Sequence, residues 1–394
     1  MTTQDAITDD IFQNGRTFLP GDRPTSREEI IQSMNGDLYI DGVTTEEAQL
    51  MLSTLPRGAE RLLLTPMDKG LSGSKVYAVR YKGDEGEYSK PFVFKIGALR
   101  KIVQEAEAVE RLAAPFLGGI GTPIYRKSVN LGLLGQELHG MVENSPPESL
   151  RLHVRHADRA DLVVDRLLRR RLAGWYDRKE SSDQRFDISY LFQWHLEKMN
   201  SAPNAGEYPQ QWEQLQSWVQ EASGLPWHGT NTIIQSLAQD AITSPATIIH
   251  GDLHSQNVLV ECQQGECWPI DFAWCRRRAS PVLDCVMLEC SLKFLSIPMR
   301  SNLRALLALE SSLLKEPYPA FILGSVPYRP EIRNASKAVL AIRHYALDDI
   351  KVSFEDYRKC LCFMTYTLSN HPGLNLPYVL SSLQMATSVV ADGI

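Results

Sequence analysis

The hydrophobic positions from Arg61 to Gly97 come in short runs separated by polar, glycine-rich breaks. In order, the segments are RLLLTPMD, KGLSGS, KVYAVRY, YKGDEGEYSK and PFVFKIG. Apolar runs of this length between turn residues predict strands. The next segment, KIVQEAEAVERLAAPF, has apolar residues at helical spacing and predicts a helix, and the strand-like LGLLGQELHG follows it. This part of the chain is therefore predicted to form a small lobe of strands with one helix.

The rest of the chain has mainly helical spacing. Residues 151–240 and the chain after Pro281 predict helices, as in RADLVVDRLLRRRLAGWY, DISYLFQWHLEKM and SKAVLAIRHYALDDI. Between them, IIHGDLHSQNVLV predicts two short buried strands joined by a polar loop, and VLVECQQGECWPIDF predicts a hairpin. We therefore expect an α+β fold in three parts: an N-terminal extension (1–60) with a short helix at 44–55, a small lobe (61–145) and a larger, mostly helical lobe (146–394).

The composition is that of an ordinary soluble globular enzyme. The chain has 394 residues, with 41 basic and 47 acidic side chains and a net charge of −6. This charge gives no global basic field, so we expect no nucleic-acid partner. The N-terminus lacks the pattern of a signal peptide, and no apolar run is long enough to span a membrane. These features predict a cytoplasmic protein without a membrane partner.

All seven cysteines fall after residue 260. An odd number of cysteines in a chain expected to be cytoplasmic predicts free thiols. Cys262 and Cys267 do not have the spacing of a zinc-binding pair, and the QQGE segment between them is typical of a hairpin loop. The spacing therefore does not predict a structural zinc site.

Three polar side chains flank the predicted hairpin and could share one site. Asp252 enters the polar loop, Asn257 ends it, and Asp271 follows the returning strand. These side chains can meet at one edge of the sheet. Oxygen donors of this kind suit Mg²⁺, which commonly completes its octahedral shell with water and phosphate oxygens. The pattern therefore suits Mg²⁺ held by two such oxygen ligands, with a triphosphate completing the metal shell.

The small lobe carries a second set of candidate residues. The turn GLSGSKVY, with Gly70, Ser72, Gly73 and Ser74, can offer backbone N–H groups and hydroxyls to phosphate oxygens. Lys95 lies within the apolar run FVFKIG and needs an anionic partner, because burial of a lone ammonium is costly. Glu105 is the natural partner, although Glu107 and Glu110 lie on the same predicted helix.

These segments resemble a known family in their sequence and in their order. HGDLHSQN followed by PIDF resembles the catalytic segment of the aminoglycoside phosphotransferase and choline kinase group, whose members share the bilobal protein-kinase-like fold. GLSGSKVYAV resembles that group's nucleotide loop, FVFKIG its lysine strand, and QEAEAVERL its glutamate helix. SPVLDCVMLE resembles the helix that follows the metal aspartate. The resemblance covers roughly residues 62–295.

The resemblance implies a role for each candidate residue. Asp252 would accept or orient the proton of a substrate hydroxyl, and Asn257 and Asp271 would hold Mg²⁺. Lys95, oriented by Glu105, would bind the α- and β-phosphates of ATP. The loop residues Gly70, Ser72, Gly73 and Ser74 would cover the phosphates. His250 would have a structural role as a brace of the loop. Asp284 directly precedes an apolar helical run, and this position predicts a helix cap or a loop brace.

We therefore expect an ATP- and Mg²⁺-dependent phosphotransferase that acts on a hydroxyl of a small molecule. Arg276, Arg277 and Arg278 follow Asp271 and favour an anionic acceptor, although a solvated helix face would also explain them. One alternative is a nucleotide-binding regulatory module with little turnover, suggested by the bulky segment DFAWCRRRAS and by residues 1–60, which could bind a protein partner. A protein kinase is a further alternative.

Overall fold

The structure is a computed structural model that describes residues 43–54, 59–67, 74–83, 89, 92–121, 123–138, 147–200, 217, 230–319, 329–369, 371 and 374–391. The described residues form two compact units. The first ends at Pro147 and excludes Phe116–Gly118, and the second consists of Phe116–Gly118 and the chain from Glu148 onward. The first unit combines a sheet with helices and the second is mainly helical, so the predicted α+β fold class is confirmed.

The first unit is built on an antiparallel sheet of five strands in the order β1-β2-β3-β5-β4. Its elements are α1 (Thr45–Leu52), β1 (Ala59–Pro66), β2 (Lys75–Gly83), β3 (Phe92–Ala98), α2 (Leu99–Ala108), β4 (Ile124–Lys127) and β5 (Leu131–Glu137). Val79, Phe94 and Leu133 are fully buried in its core. The predicted strands and helix are confirmed, whereas the short β4 was not predicted.

Helix α1 starts with a capping box, which explains why this short segment folds. The Thr44 side chain accepts a hydrogen bond from Glu47 N, and the Glu47 carboxylate accepts one from Thr44 N. Leu50 and Met51 are buried in the same hydrophobic cluster as the sheet residues. The helix predicted at 44–55 is therefore confirmed, and it contributes to the core of the first unit.

Helix α2 packs closely against β5. Ile102 is fully buried, and a Cβ atom at Gly132 would lie 2.7 Å from the Ile102 side chain. The absence of a side chain at Gly132 lets the helix approach the strand. This packing fixes the face of α2 that carries Glu105, which is also buried. The helix continues into a π-helical turn over Val109–Ala113.

The second unit contains short strands and most of the helices. In chain order its elements are β6 (Glu148–Ser149), α3 (Leu150–His156), α4 (Ala160–Arg166), α5 (Ala173–Tyr176), β7 (Ser181–Asp187), α6 (Ile188–Leu191), α7 (Gln193–Asn200), α8 (Thr230–Ala238), β8 (Ala241–Ile249), β9 (Val258–Val260), β10 (Cys267–Pro269), β11 (Arg276–Ala279), α9 (Val282–Ser291), α10 (Leu303–Lys315), α11 (Pro330–His344), α12 (Phe354–Leu368) and α13 (Leu376–Ala391). The strands form two three-stranded sheets, β10-β9-β6 and β11-β8-β7. The predicted hairpin is confirmed as β9 and β10.

Two predictions in this unit were wrong. Strand β7 lies within the region predicted to be helical. It forms because its backbone pairs with β8, although its side chains are largely polar and solvent-facing. Arg276–Ala279 also forms a strand beside β8, so the alternative that placed these arginines on a helix face is wrong. Both strands lie at the edges of their sheet. Pairing with a buried neighbour stabilises them without an apolar pattern of their own.

The helical core encloses a network of opposite charges. Arg343, fully buried, donates to both carboxylate oxygens of Glu289 at 2.7 and 2.9 Å. Lys293 donates to Glu310 at 2.8 Å and lies 3.5 Å from Glu289. The four charges sum to zero, which limits the cost of their burial. Within the described residues, no helix is long and apolar enough to cross a membrane.

Candidate functional site

The polar loop between β8 and β9 is buried rather than solvated. His250 is fully buried, and Asp252 and Asn257 are 7% and 6% exposed. The Asn257 side-chain amide donates to the Asp252 carbonyl oxygen at 2.9 Å, which closes the loop across its two key residues. The amide oxygen Oδ1, the atom of an asparagine side chain that binds cations, takes no part in this bond.

The backbone of Ile270 connects both ends of this loop to Asp271. Ile270 N donates to Asn257 O, and Ile270 O accepts from His250 Nε2, each at 2.9 Å. Asp271 is the next residue and has left-handed backbone angles, φ 66° and ψ 66°. This conformation is uncommon outside glycine and concentrates at functional sites. The antiparallel hairpin thus brings Asn257 and the backbone of Asp271 together, and the bracing role predicted for His250 is confirmed.

Asp284 holds the loop from the first turn of α9. Its Oδ1 accepts from Gly251 N at 2.8 Å, and its Oδ2 accepts from His250 N at 2.7 Å and from the Tyr176 hydroxyl at 2.8 Å. Complete burial raises the pKa of Asp284, and these donors oppose the shift. Of the two structural roles predicted for Asp284, the structure shows the loop brace.

Gly251 lies at a point where the loop passes very close to the chain beyond Asp271. Its φ is 81°, and a Cβ atom would lie 2.5 Å from the carbonyl oxygen of Trp274. Its own carbonyl oxygen is 3.1 Å from His195 Nε2. Only glycine meets both the conformational and the spatial requirement, so the HGD sequence is fixed partly by packing.

The Asp252 carboxyl is buried and surrounded by nitrogen-bearing side chains. Burial raises its pKa, but the positive charges of His254, Lys198 and His195 outweigh burial and lower it overall. Within the described residues Asp252 Oδ1 has no hydrogen-bond partner, and Oδ2 lies 3.9 Å from His254 Nε2. Burial lowers the pKa of His195 to about 4 and also lowers that of His254. The lowered pKa makes Asp252 an ionised hydrogen-bond acceptor at neutral pH.

Aromatic and cationic side chains from α7 and from the segment after Asp271 pack next to His195. Trp274 stacks on His195 with ring centroids 6.1 Å apart, and Trp194 meets Trp274 edge-on at 4.6 Å. The Arg276 guanidinium lies 5.3 Å from the Trp194 ring centre, and the Lys198 ammonium lies 6.0 Å from that of Trp274. We call these five residues the tryptophan–cation cluster. The faces of its tryptophans are covered by cations of the chain itself.

In the first unit, Lys95 and Glu105 form a buried ion pair. Lys95 Nζ lies 2.6 Å from Glu105 Oε2, and Glu105 is 2% exposed. Lys95 belongs to β3, between β2 and β5 in the sheet, so its ammonium requires compensation. Glu107 is partly exposed and Glu110 exposed. The predicted pairing with Glu105, rather than with either rival, is confirmed.

Of the predicted phosphate-loop residues, only Ser74 is among the described residues. Ser74 is buried immediately before β2. Gly70, Ser72 and Gly73 lie outside the described residues. The binding role assigned to this loop therefore stays a prediction.

Sequence reasoning missed several residues that shape the loop in the second unit. Tyr176, His195 and Lys198 precede the loop by more than 50 positions, and no local pattern connects them to it. His254 lies inside the HGDLHSQN segment and could have been noticed as a second imidazole. Its closeness to the Asp252 carboxylate follows from the turn of the loop, where His254 N donates to Asp252 O at 2.9 Å.

Comparisons with known proteins give one family and several structures. Residues 215–371 match the family model described as Ternary complex associated domain 9, a range that contains Asp252, Asn257 and Asp271. No curated protein matches the chain. Among solved structures, the chain is similar to an ethanolamine kinase of Plasmodium vivax, with 10% identity, TM-score 0.41 and coverage of 94% of this chain and 95% of that one. It is also similar to a choline kinase of Cryptosporidium parvum Iowa II, with 11% identity, TM-score 0.36 and coverage of 84% and 89%.

Both kinases carry names from the group that the sequence motifs resemble. Their identities and TM-scores are too low to indicate the function of this chain.

Proposed function

We propose that this protein is an ATP- and Mg²⁺-dependent phosphotransferase whose acceptor is a hydroxyl group of a small molecule. The observation that carries the proposal is the pair of hydrogen bonds made by the Ile270 backbone, to Asn257 and to His250. Through them, one residue position links the loop of Asp252, the backbone carbonyl of Asn257 and the left-handed Asp271. A metal-binding amide and carboxylate beside a buried carboxylate suit phosphoryl transfer.

Asn257 and Asp271 are the residues that would hold Mg²⁺. The Asn257 amide is oriented by its bond to Asp252 O, which directs its oxygen to the ligand role. Asp271 contributes a carboxylate, and two oxygen donors leave room for water and phosphate oxygens in an octahedral shell. When bound, Mg²⁺ neutralises charge on the transferring phosphate.

Asp252 would orient the acceptor hydroxyl and take its proton. The lowered pKa keeps the carboxylate ionised near neutral pH, so it can accept this hydrogen bond. Its Oδ1 is buried and has no partner within the described residues, a costly state unless a ligand supplies the donor. A positioned base is typically worth about 10²- to 10⁴-fold in rate.

Lys95 would bind the α- and β-phosphates of ATP, and Glu105 would hold its ammonium in place. The 2.6 Å ion pair fixes one end of the lysine side chain by charge rather than by packing alone. Gly70, Ser72, Gly73 and Ser74 would cover the phosphates.

The tryptophan–cation cluster favours an anionic acceptor. Arg276 Nη2 donates to Leu191 O at 3.1 Å, while Nη1 is buried without a hydrogen-bond partner among the described residues. Because Arg276 and Lys198 already cover the tryptophan faces, a cationic substrate would meet like charges there. A carboxylate or phosphate on the acceptor would instead satisfy the guanidinium.

The proposal is tested by measuring ADP release with Mg²⁺-ATP over a panel of anionic, neutral and cationic hydroxyl compounds. Wild type should turn over at least one anionic acceptor, and Asp252→Asn should lower kcat by about 10²- to 10⁴-fold. Asp183→Asn changes an exposed carboxylate and serves as the control. Undiminished turnover in Asp252→Asn would contradict the role of Asp252.

A nucleotide-binding module with little turnover is the second candidate. The stacking of Trp274 on His195 favours it, because this bulky side chain packs against an imidazole that contacts the Gly251 carbonyl, next to Asp252. Tight Mg²⁺-ATP binding without ADP release for any acceptor would select this candidate. Labelled phosphate recovered on a protein would instead select a protein kinase.

A further inference from the structure

A cluster of metal-ligating side chains lies in the second unit, near the C-terminal end of β9, whereas Asn257 directly precedes the N-terminal end of this strand. Glu148 comes from β6, His153 from α3, and Cys262 from the turn after β9. Their donor atoms lie within 4.8 Å of one another. Glu148 Oε1 is 2.9 Å from His153 Nδ1 and 3.1 Å from Cys262 Sγ.

The backbone brings these residues together by regular pairing. Glu148 is opposite Val260 in the β6–β9 ladder, so Cys262 lies just beyond the paired segment. Helix α3 starts directly after β6 and directs both of its histidines at Glu148, with His156 Nε2 2.9 Å from Oε2. The turn is held by the buried Glu261 carboxylate, which accepts from Gln263 N at 2.8 Å and from Gln264 N at 2.6 Å.

The donor set is one thiol, one imidazole and one carboxylate, and all three are established zinc ligands. Zinc bonds of about 2.0–2.3 Å in tetrahedral geometry require donors about 3.4–3.6 Å apart. The hydrogen-bonded distances of 2.9 and 3.1 Å would therefore open by about half an ångström. His153 is buried and Cys262 is exposed, so the cluster is rigid on one side and reachable by solvent on the other.

Space remains for a fourth ligand. A surface cavity of about 290 Å³ is lined by His153 and Cys262 together with Arg159, Arg166 and Gln264. A zinc site with three protein ligands normally keeps its fourth position for water or a small ligand. The second contact of the carboxylate, from Glu148 Oε2 to His156, matches the outer hydrogen bond that commonly orients a metal ligand.

We propose that Glu148, His153 and Cys262 bind a Zn²⁺ ion whose fourth coordination position opens into this cavity, with His156 as the residue that orients Glu148. The ion ties the turn after β9 to the start of α3. The site differs from the proposed Mg²⁺ site in its residues and in its donor atoms, since that site offers only oxygen.

The test uses Co²⁺ as a spectroscopic probe of the chelator-treated full chain, followed by Zn²⁺ competition. Wild type should bind about one equivalent and show thiolate-to-cobalt charge-transfer absorption, which Zn²⁺ abolishes. Cys262→Ser and His153→Gln should each lose the charge-transfer band or the binding. His156→Gln should weaken binding by about 10- to 100-fold, as outer-ligand changes do.

Three control variants separate this site from general metal binding. His344 forms a similar pair with a carboxylate, Nδ1 to Asp348 Oδ2 at 3.0 Å, but without a thiol. His344→Gln and Cys275→Ser should leave the Co²⁺ spectrum unchanged, and so should Asp271→Asn. The proposal is overturned by a wild-type spectrum without thiolate absorption, or by a band that persists in Cys262→Ser.

A second measurement on the wild-type chain avoids dependence on variants that fold poorly. All seven cysteines are described, and Cys262 alone among them is exposed. Zn²⁺ should slow alkylation of Cys262 by iodoacetamide, as measured by peptide mass spectrometry, whereas Mg²⁺ should not. Equal alkylation with and without Zn²⁺ would contradict the site.

Discussion

Replacement of Asp284 by asparagine tests how the HGD loop is held. The carboxylate accepts three buried hydrogen bonds, from the backbone N–H groups of His250 and Gly251 and from the Tyr176 hydroxyl. Asparagine has nearly the same shape but offers one oxygen and one NH₂ group. Whichever way the amide turns, its NH₂ group faces at least one backbone donor.

The expected cost follows from these contacts. The loss of one hydrogen bond to a charged group costs about 1.5–3 kcal/mol, and a buried donor left unsatisfied adds about 1–3 kcal/mol. Relief of the buried carboxylate's desolvation offsets part of this cost. We expect Asp284→Asn to lower the free energy of unfolding by roughly 3 kcal/mol. Tyr176→Phe removes one bond and keeps both loop bonds, so about 1.5 kcal/mol is expected.

Urea denaturation near neutral pH measures both variants, and hydrogen exchange resolves the local effect. In Asp284→Asn, exchange at the amides of His250 and Gly251 should accelerate more than in Tyr176→Phe, because only the first variant disturbs the loop bonds. Equal destabilisation by the two variants, with unchanged exchange at these amides, would refute the bracing role of Asp284.

Three further effects follow from buried charges. Glu105→Gln should lower the free energy of unfolding by about 3 kcal/mol, because the buried Lys95 ammonium loses its partner at 2.6 Å. Arg343→Met should cost about 3–5 kcal/mol, and the added change Glu289→Gln should restore part of it by removing the uncompensated carboxylate. His195 has a folded-state pKa of about 4, below its usual 6.5, so stability should be full above pH 6.5 and fall by about 3 kcal/mol toward pH 4, and His195→Gln should flatten this dependence. Urea denaturation measures all three.

Each of these effects has a control in the same chain. Glu107→Gln lies on the same helix as Glu105 and is partly exposed, so it should change stability by less than about 0.5 kcal/mol. Arg333→Met changes an exposed side chain and is the control for Arg343→Met. His344→Gln, also at an exposed position, is the control for His195→Gln. Control variants as destabilising as their buried counterparts would show that burial of charge does not set these costs.

The sequence was most informative where spacing along the chain determines spacing in the structure. The hairpin is antiparallel, so Asn257 and Ile270 become neighbours once the turn is recognised. The pairing of Lys95 with Glu105 was predicted by the high cost of an isolated buried ammonium, and the partner could be chosen from one helix. In both cases the relevant contact joins residues of adjacent elements.

Contacts between distant segments could not be predicted in this way. Arg343 and Glu289 are separated by 54 positions and lie on helices whose crossing is set by the whole core. The Glu148 cluster joins Cys262 to residues more than 100 positions earlier, so cysteine spacing alone gave no sign of it. Edge strands β7 and β11 were missed because their stability comes from pairing with β8 rather than from their own side chains.

Calorimetric titration of a non-hydrolysable ATP analogue, with and without Mg²⁺, tests the proposed metal and nucleotide site most directly. Asp271→Asn is a suitable comparison, because asparagine tolerates the left-handed backbone of this position while it lacks the charge. We predict that Mg²⁺ raises wild-type affinity by about tenfold or more, or about 1.4 kcal/mol, and that Asp271→Asn loses this gain. Wild-type affinity that is indifferent to Mg²⁺, or an equal gain in Asp271→Asn, would contradict the proposed function.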